Sequence, residues 1–301
     1  MSKCFRLRTT ASALAVVTIT SVALSTPLLA QASGTFTIQG DRVEIYNIAG
    51  SVRVQSGSGS AVLVEIDAGG ADADQLDVQT GRIGNAETLR VIYPDDRIVY
   101  PRLRSRSRSQ FSIRADGTFF GRGRRGDRVT VTGSGRGLET YADMTISIPA
   151  GKTVGVFLGV GEVDVTNVNG DLMVDTGSGG VVGEDIEVDE LNIDTGSGRI
   201  ELDNVTSSHI RLDTGSGSVR LDLTTDVELL DIETGSGRVT VAIPDNMSAE
   251  LNIETGSGGI DFDMPVTVRR FSRRELHGAI GDGRGRIRVD TGSGGVRFIR
   301  R

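Results

Sequence analysis

The 301-residue chain contains no tryptophan, and aromatic residues make up only 4% of it. Large aromatic clusters therefore cannot build its main core, and aromatic platforms for stacking sugars are scarce. Histidine occurs twice, at His209 and His277, and neither lies in a partner pattern that would make it a catalytic base. The single cysteine, Cys4, sits in a segment with the features of an export signal. Lys3, Arg6 and Arg8 form a basic region, Ala11–Leu24 is mostly apolar, and Ala30-Gln31-Ala32 has the small-x-small form of a cleavage site. Cys4 precedes the apolar region, which argues against a lipoprotein signal. A membrane anchor is the rival reading, but the apolar run is short and Pro27 breaks it. No other stretch could cross a bilayer as a helix. Residues 1–32 thus read as a signal peptide. The exported chain from Ser33 then has no cysteine, which excludes disulfides, thiolate nucleophiles and cysteine metal sites. It keeps 30 Lys+Arg against 40 Asp+Glu, a net charge of −10, and its only lysine is Lys152. That balance argues against a nucleic-acid partner.

Glycine, by contrast, is abundant: 41 residues, against a norm of about seven in a hundred. Many of these glycines fall in one repeated pattern. Its copies are LMVDTGSGGVV from Leu172, LNIDTGSGRIEL from Leu191, IRLDTGSGSVRL from Ile210, LDIETGSGRVTV from Leu230, LNIETGSGGIDF from Leu251 and IRVDTGSGGVRF from Ile287. The acidic positions Asp175, Asp194, Asp213, Glu233, Glu254 and Asp290 are spaced 19, 19, 20, 21 and 36 residues apart. A period near 20 is a solenoid signature.

Each copy alternates with period two. Leu191, Ile193 and Thr195 point one way, and Asn192 and Asp194 the other. Ile200 and Leu202 resume the apolar side after Gly196-Ser197-Gly198. This is a half-buried strand, a tight turn and a second strand. A helix is excluded, because each central glycine would cost it about 1 kcal/mol. Glycine serves where the backbone takes positive φ or where chains approach closely. One pair of short strands cannot form its own core, whereas stacking places Leu on Leu and Ile on Ile. The pattern predicts an all-β fold: a single-chain β-solenoid with turns of roughly 20 residues stacked about 4.8 Å apart. The rival is an antiparallel sandwich or array of hairpins.

The solenoid domain is expected to span residues 33–301, its first strands lying in TFTIQG, RVEIYNIAG and SVRVQSGSGSAVLVEI. Pro101–Arg128 carries nine arginines and reads as a loop inserted into the stack. Between Glu254 and Asp290, a degenerate rung is expected at Ile260–Val268 and a loop near Arg269–Glu275. The open ends of the stack need caps, since bare ladder edges invite pairing with other chains.

Repeated Asp/Glu-Thr-Gly-Ser-Gly turns between alternating strands, after an export signal, resemble the bacterial putative-adhesin family of β-strand-repeat (DUF4097-like) proteins. LHGAIGDGRGRIRVDTGSGGVRF is similar to that family's closing rungs. The resemblance covers nearly all of Phe36–Phe298 apart from the arginine-rich insertion. It implies a β-solenoid at the cell envelope and implies no catalytic residues.

Asp-Thr-Gly-Ser is also the active-site turn of aspartic proteases, which need two carboxylates sharing a proton. Here the acid recurs six times at equal rank, as a structural turn would. Stacked in register, Asp175, Asp194, Asp213, Glu233 and Glu254 would form an acidic column. Its repulsion calls for relief by Arg199, Arg220 and Arg238, by backbone N–H groups, or by a cation such as Ca²⁺. The column is thus a weak metal candidate, and its turn does not match the Gly-Gly-x-Gly-x-Asp calcium repeat. No other cofactor is indicated. Thr195, Thr214, Thr234 and Thr255 would bond within the stack. Gly155–Gly161 and Gly281–Arg286 lack the Lys-Ser/Thr ending of a phosphate loop. Arg102, Arg104, Arg106, Arg108, Arg122, Arg124 and Arg125 are candidates for anion binding.

The expected function is that of a non-enzymatic envelope scaffold or binding surface, in the periplasm, on the cell surface or secreted. Its partner would be a glycan or another envelope protein, and self-association through sheet edges is open to it. The alternative is a polysaccharide lyase or hydrolase, since solenoids host such enzymes.

Overall fold

The computed structural model describes residues 33–119 and 126–301. The export signal expected at residues 1–32, and Arg122, Arg124 and Arg125, lie outside the described residues. What is described is an all-β repeat architecture. A three-residue 3-10 turn, Ala73–Gln75, is its one helical element, and no described helix is long and apolar enough to cross a membrane.

The alternating pattern buries one face of each strand. Leu191, Ile193 and Thr195 are buried in Glu190–Thr195, as are Ile200 and Leu202 in Ile200–Thr206. These two strands do not pair with each other. The first lies in a 12-stranded sheet and the second in an 11-stranded sheet. Gly196-Ser197-Gly198 is therefore a corner between sheets and not a hairpin turn. Each strand pairs in parallel with its equivalent in the neighbouring repeat: Ile193 with Val174 and Leu212, and Leu202 with Gly183 and Leu221.

Eight two-strand units stack in this way. In spatial order they begin with Arg42–Ala49/Val52–Gly57, Thr153–Val160/Val163–Val168 and Leu172–Ser178/Val181–Glu187. Glu190–Thr195/Ile200–Thr206, His209–Thr214/Val219–Leu223 and Leu229–Thr234/Val239–Ile243 follow. Gly285–Thr291/Val296–Arg300 comes next, and Ala249–Thr255/Ile260–Phe262 is last. The unit latest in sequence is thus inserted between the two that precede it. The buried column runs Ile193, Leu212, Ile232, Val289, Ile253, within one continuous core.

The strand preceding the first unit and residues between the first two units build the cap at one end. Gly34–Ile38, Val62–Gly69 and Tyr141–Pro149 extend the 11-stranded sheet, and Asp77–Ile83 and Ala86–Ile92 extend the other. At the far end the expected degenerate rung is absent. Ile260–Phe262 belongs to the unit beginning at Ala249, and Thr267–Phe271 pairs antiparallel with Glu275–Ile280 as a capping hairpin. The loop expected at Arg269–Glu275 shrinks to the short turn between these two strands. The capping hairpin buries Leu276 and Ile280 on the stack and leaves Thr267–Phe271 exposed along its whole length.

Of the two reasons for glycine, close approach governs the corners. A Cβ on Gly198 would overlap the carbonyl oxygen of Gly179, one on Gly217 that of Gly198, and one on Gly237 that of Gly217. The preceding threonines fasten the same contact. Thr195 Oγ1 donates to the carbonyl of Gly179 at 2.9 Å, Thr214 to Gly198 at 3.0 Å and Thr255 to Gly294 at 2.7 Å. Thr176 is the exception, its buried hydroxyl having no hydrogen-bond partner.

Gly217→Ala should force adjacent units apart. A forced fit of this kind costs about 1–3 kcal/mol, or a fall in melting temperature of roughly 2–12 °C at this chain size. Gly259→Ala, where a Cβ meets nothing within 4 Å, should melt with the parent. Thermal melting of both variants checks this; equal melting would remove close approach as the reason for the corner glycines.

Candidate binding surface

The in-register stack aligns polar side chains as strictly as apolar ones. Asp175, Asp194, Asp213 and Glu233 pair one to the next, as expected. Glu254 does not sit on Glu233, because the inserted unit places Asp290 between them. The column also runs further than the repeat shows, since Glu254 pairs with Glu275 of the capping hairpin. At its other end Asp175 lies beside Phe157, and Phe157 beside Tyr46.

The repulsion is relieved differently at the two ends. Arg199, Arg220 and Arg238 belong to the 11-stranded sheet or its corners, away from the acids; Arg199 faces Glu201 at 3.6 Å and Arg220 faces Asp203 at 3.7 Å. Arg288, on the inserted unit, takes the role instead. Its guanidinium lies 2.6 Å from Glu233, 3.5 Å from Asp231 and 3.8 Å from Asp290. Glu275 is held below the usual carboxylate range by hydrogen bonds from Arg270 and His277. At the opposite end no guanidinium among the described residues pairs with Asp175, Asp194 or Asp213, and proton uptake is favoured. Burial, then the neighbouring Asp194 charge, pushes the Asp175 carboxyl up to about 7. Burial also raises Asp194, and burial followed by the charges of Asp194, Glu233 and Asp231 raises Asp213. Among the described residues, no group of three or more His, Cys, Asp or Glu side chains is arranged to hold a metal ion.

The described part of the arginine-rich segment is not a plain inserted loop. Arg97–Val99, Arg108–Ile113, Asp127–Thr132 and Leu138–Glu139 form a separate four-stranded side sheet. Its inner face buries Ile98, Val129, Val131 and Leu138 in the common core. It is anchored by rings. Tyr46 and Phe157 stack at 4.5 Å, Phe119 meets Tyr46 edge-on at 5.6 Å, and Phe111 lies 5.8 Å from Phe119. Gly159 makes room for this packing, since a Cβ there would collide with the Phe111 ring. The alternation in Gln110-Phe111-Ser112-Ile113 was the signal for this strand, masked in sequence by the arginines around it.

The side sheet sorts the candidate arginines. Arg102 is used internally, 2.8 Å from Asp143 and 4.5 Å over the Tyr141 ring. Arg104, Arg106 and Arg108 are exposed, and among the described residues they enter no ion pair. Three arginines that the sequence did not single out join them: Arg97, Arg128 and Arg136, likewise exposed and unpaired. Cross-strand register places Arg108, Gln110, Ser112, Arg128, Thr130 and Arg97 on one face. The loop bearing Arg104 and Arg106 is tied to the turn bearing Arg136, through Ser134 Oγ donating to the Ser105 carbonyl at 2.9 Å.

Both histidines face glutamates. His209 Nε2 lies 3.5 Å from Glu228, and His277 Nε2 lies 2.7 Å from a Glu275 carboxylate also bound by Arg270. Gly155–Gly161 lies largely within the strand Thr153–Val160, and Gly281–Arg286 joins the capping hairpin to the inserted unit. Neither precedes a helix.

The raised Asp175 carboxyl makes stability depend on pH. Between its unfolded value near 3.8 and its folded value of about 7, the native state keeps a proton that the unfolded chain has lost. Stability therefore falls as pH rises through this window. Asp175→Asn should melt higher than the parent at pH 8, with the advantage shrinking toward pH 4. Parallel melting curves across that range would contradict the assignment.

No curated protein matches the chain. In structure it is similar to a putative cell adhesion protein from Clostridium sporogenes, at 10% identity, 89% of this chain, 99% of that chain and a TM-score of 0.35. It is also similar to a putative adhesin from Bacteroides fragilis, at 11% identity over 89% and 96% of the two chains with a TM-score of 0.31. A putative adhesin from Parabacteroides merdae compares at 12% identity over 89% and 95%, with a TM-score of 0.32. The family described as Toastrack DUF4097 matches residues 124–298, more than half of the chain, and the chain belongs to that family.

Proposed function

We propose that this is a non-enzymatic β-solenoid of the cell envelope whose side sheet holds anionic polysaccharide. The observation that carries the reading is the face on which Arg97, Arg108 and Arg128 share a register with Gln110, Ser112 and Thr130. Guanidinium groups without internal partners recognise carboxylate, sulfate or phosphate groups through paired hydrogen bonds. The amide and hydroxyls between them suit the hydroxyl-rich rest of a sugar chain. Arg104 and Arg106, on the loop tied to the turn that bears Arg136, would extend the same basic surface. The solenoid supplies a rigid support, and the aromatic anchor fixes the side sheet upon it. An exported, net acidic protein with one basic face is suited to selective capture of a polyanion. A repeated acidic column, and histidines engaged with glutamates, give a lyase or hydrolase reading no comparable support.

Binding of residues 33–301 to immobilised polygalacturonate, with dextran as the neutral control, tests this. The parent should be retained on polygalacturonate alone and released as salt rises. The variant Arg97→Ser/Arg108→Ser/Arg128→Ser should bind about tenfold more weakly, with unchanged melting. Equal retention on both polymers would overturn the anionic preference, and release of shortened sugar products would overturn the non-enzymatic reading.

A further inference from the structure

The unit Gly285–Arg300 fills a slot between Leu229–Ile243 and Ala249–Phe262, although it follows both in sequence. The two walls of that slot are interchangeable in register. Ile232, Val289 and Ile253 share one buried column, and Val241, Phe298 and Phe262 share another. LNIETGSGGIDF can therefore take the place of IRVDTGSGGVRF against Leu230–Val241 without a register slip. The corner allows it too. Gly256 now packs on the carbonyl of Gly292, as Gly292 packs on that of Gly235. If the terminal unit leaves, the Ala249–Phe262 unit can close the slot, so that one of the two lost ladders is recovered. The cost of emptying the slot is lowered accordingly.

The expelled segment is a strand–corner–strand element, and the same slot in another copy is complementary to it in every register position. We propose that residues 267–301, the capping hairpin with the terminal unit, exchange between two copies of this chain, with Asp263–Val266 as the hinge. Exchange of an identical element restores every pairing of the monomer and costs mainly association entropy. A second observation favours this partner. Val268 and Phe271, at 50% and 62% exposure, are the most exposed large apolar side chains among the described residues. Both lie on Thr267–Phe271, the outermost strand of the 12-stranded sheet. Reciprocal exchange brings two such ends together and covers them. Charge does not oppose this, since Arg269 and Arg270 on that strand are already paired with Glu250 and Glu275.

Residues 33–301 contain every described element and no cysteine, so a cysteine pair can report the exchange. Thr240→Cys/Arg297→Cys places the pair across one wall of the slot, on positions adjacent in parallel register. Arg220→Cys/Thr240→Cys places it between units that do not exchange. Each variant is unfolded, refolded under reducing conditions over about a hundredfold range of concentration, oxidised and sized under denaturing conditions. The expected result is a covalent dimer that grows with concentration in the first variant, with the second remaining monomeric. Monomer at every concentration in both variants overturns the proposal, as does dimer to the same extent in both. Because the readout needs no polymer, its failure leaves the polysaccharide reading standing, and failure to bind polysaccharide leaves this one standing.

Discussion

The contact between the carbonyl of one corner glycine and the Cα of the next sets the spacing and register of this molecule. Ladder hydrogen bonds alone would tolerate a slip in a strand of repeated Val, Ile and Leu. A slip of one residue would turn the buried face outward, and it would also bring Ser197 or Arg199 against a carbonyl that admits only a hydrogen. The threonine before each corner adds a directional bond to the same carbonyl. Register is thus fixed once per unit by a steric test and a hydrogen bond together. The narrow columns between the sheets need only small and branched side chains, which is why the absence of tryptophan carries no penalty.

Fixed register imposes like-on-like stacking on the polar face as well, and there it is costly. The stack meets the cost with two different means. Asp175, at the margin of the docked side sheet, has its charge suppressed by burial and by Asp194. Glu233 and Asp290 instead face the Arg288 guanidinium, which arrives with the inserted unit. The same arginine explains the spatial order of the last two units. Placed directly on Leu229–Thr234, the strand Ala249–Thr255 would set Asn252 beside Asp231, where the inserted unit sets Arg288. Two units fit the slot sterically, and charge selects between them.

Much of this was legible in the sequence. Spacing gave the unit length, alternation gave the buried faces, and the glycines gave a tight turn between the two strands, which the fold makes a corner between sheets. The acidic and threonine columns followed directly from these. The insertion of the last unit was not legible, because LNIETGSGGIDF and IRVDTGSGGVRF satisfy the same steric pattern and differ mainly at Asn252 and Arg288. The capping hairpin was hidden because Thr267–Phe271 has no buried face, so its alternation carries no signal. The side sheet was hidden for another reason. Its anchor pairs Phe111 and Phe119 with Tyr46 and Phe157, from segments far apart in sequence, and only the fold brings them together.

Repetition also limits where recognition can reside. A surface built from equivalent units presents the same side chain at every step and cannot favour one position along the stack. The equivalence is broken at the side sheet, where rings replace carboxylates in the outward column, and at the far cap, where the chain doubles back on itself. The first break concentrates arginines that enter no ion pair among the described residues; the second leaves apolar side chains exposed at the end of a sheet. The face proposed to hold a polyanion and the strands proposed to exchange between copies accordingly fall on opposite ends of the molecule, and the regular stack between them keeps the two surfaces apart.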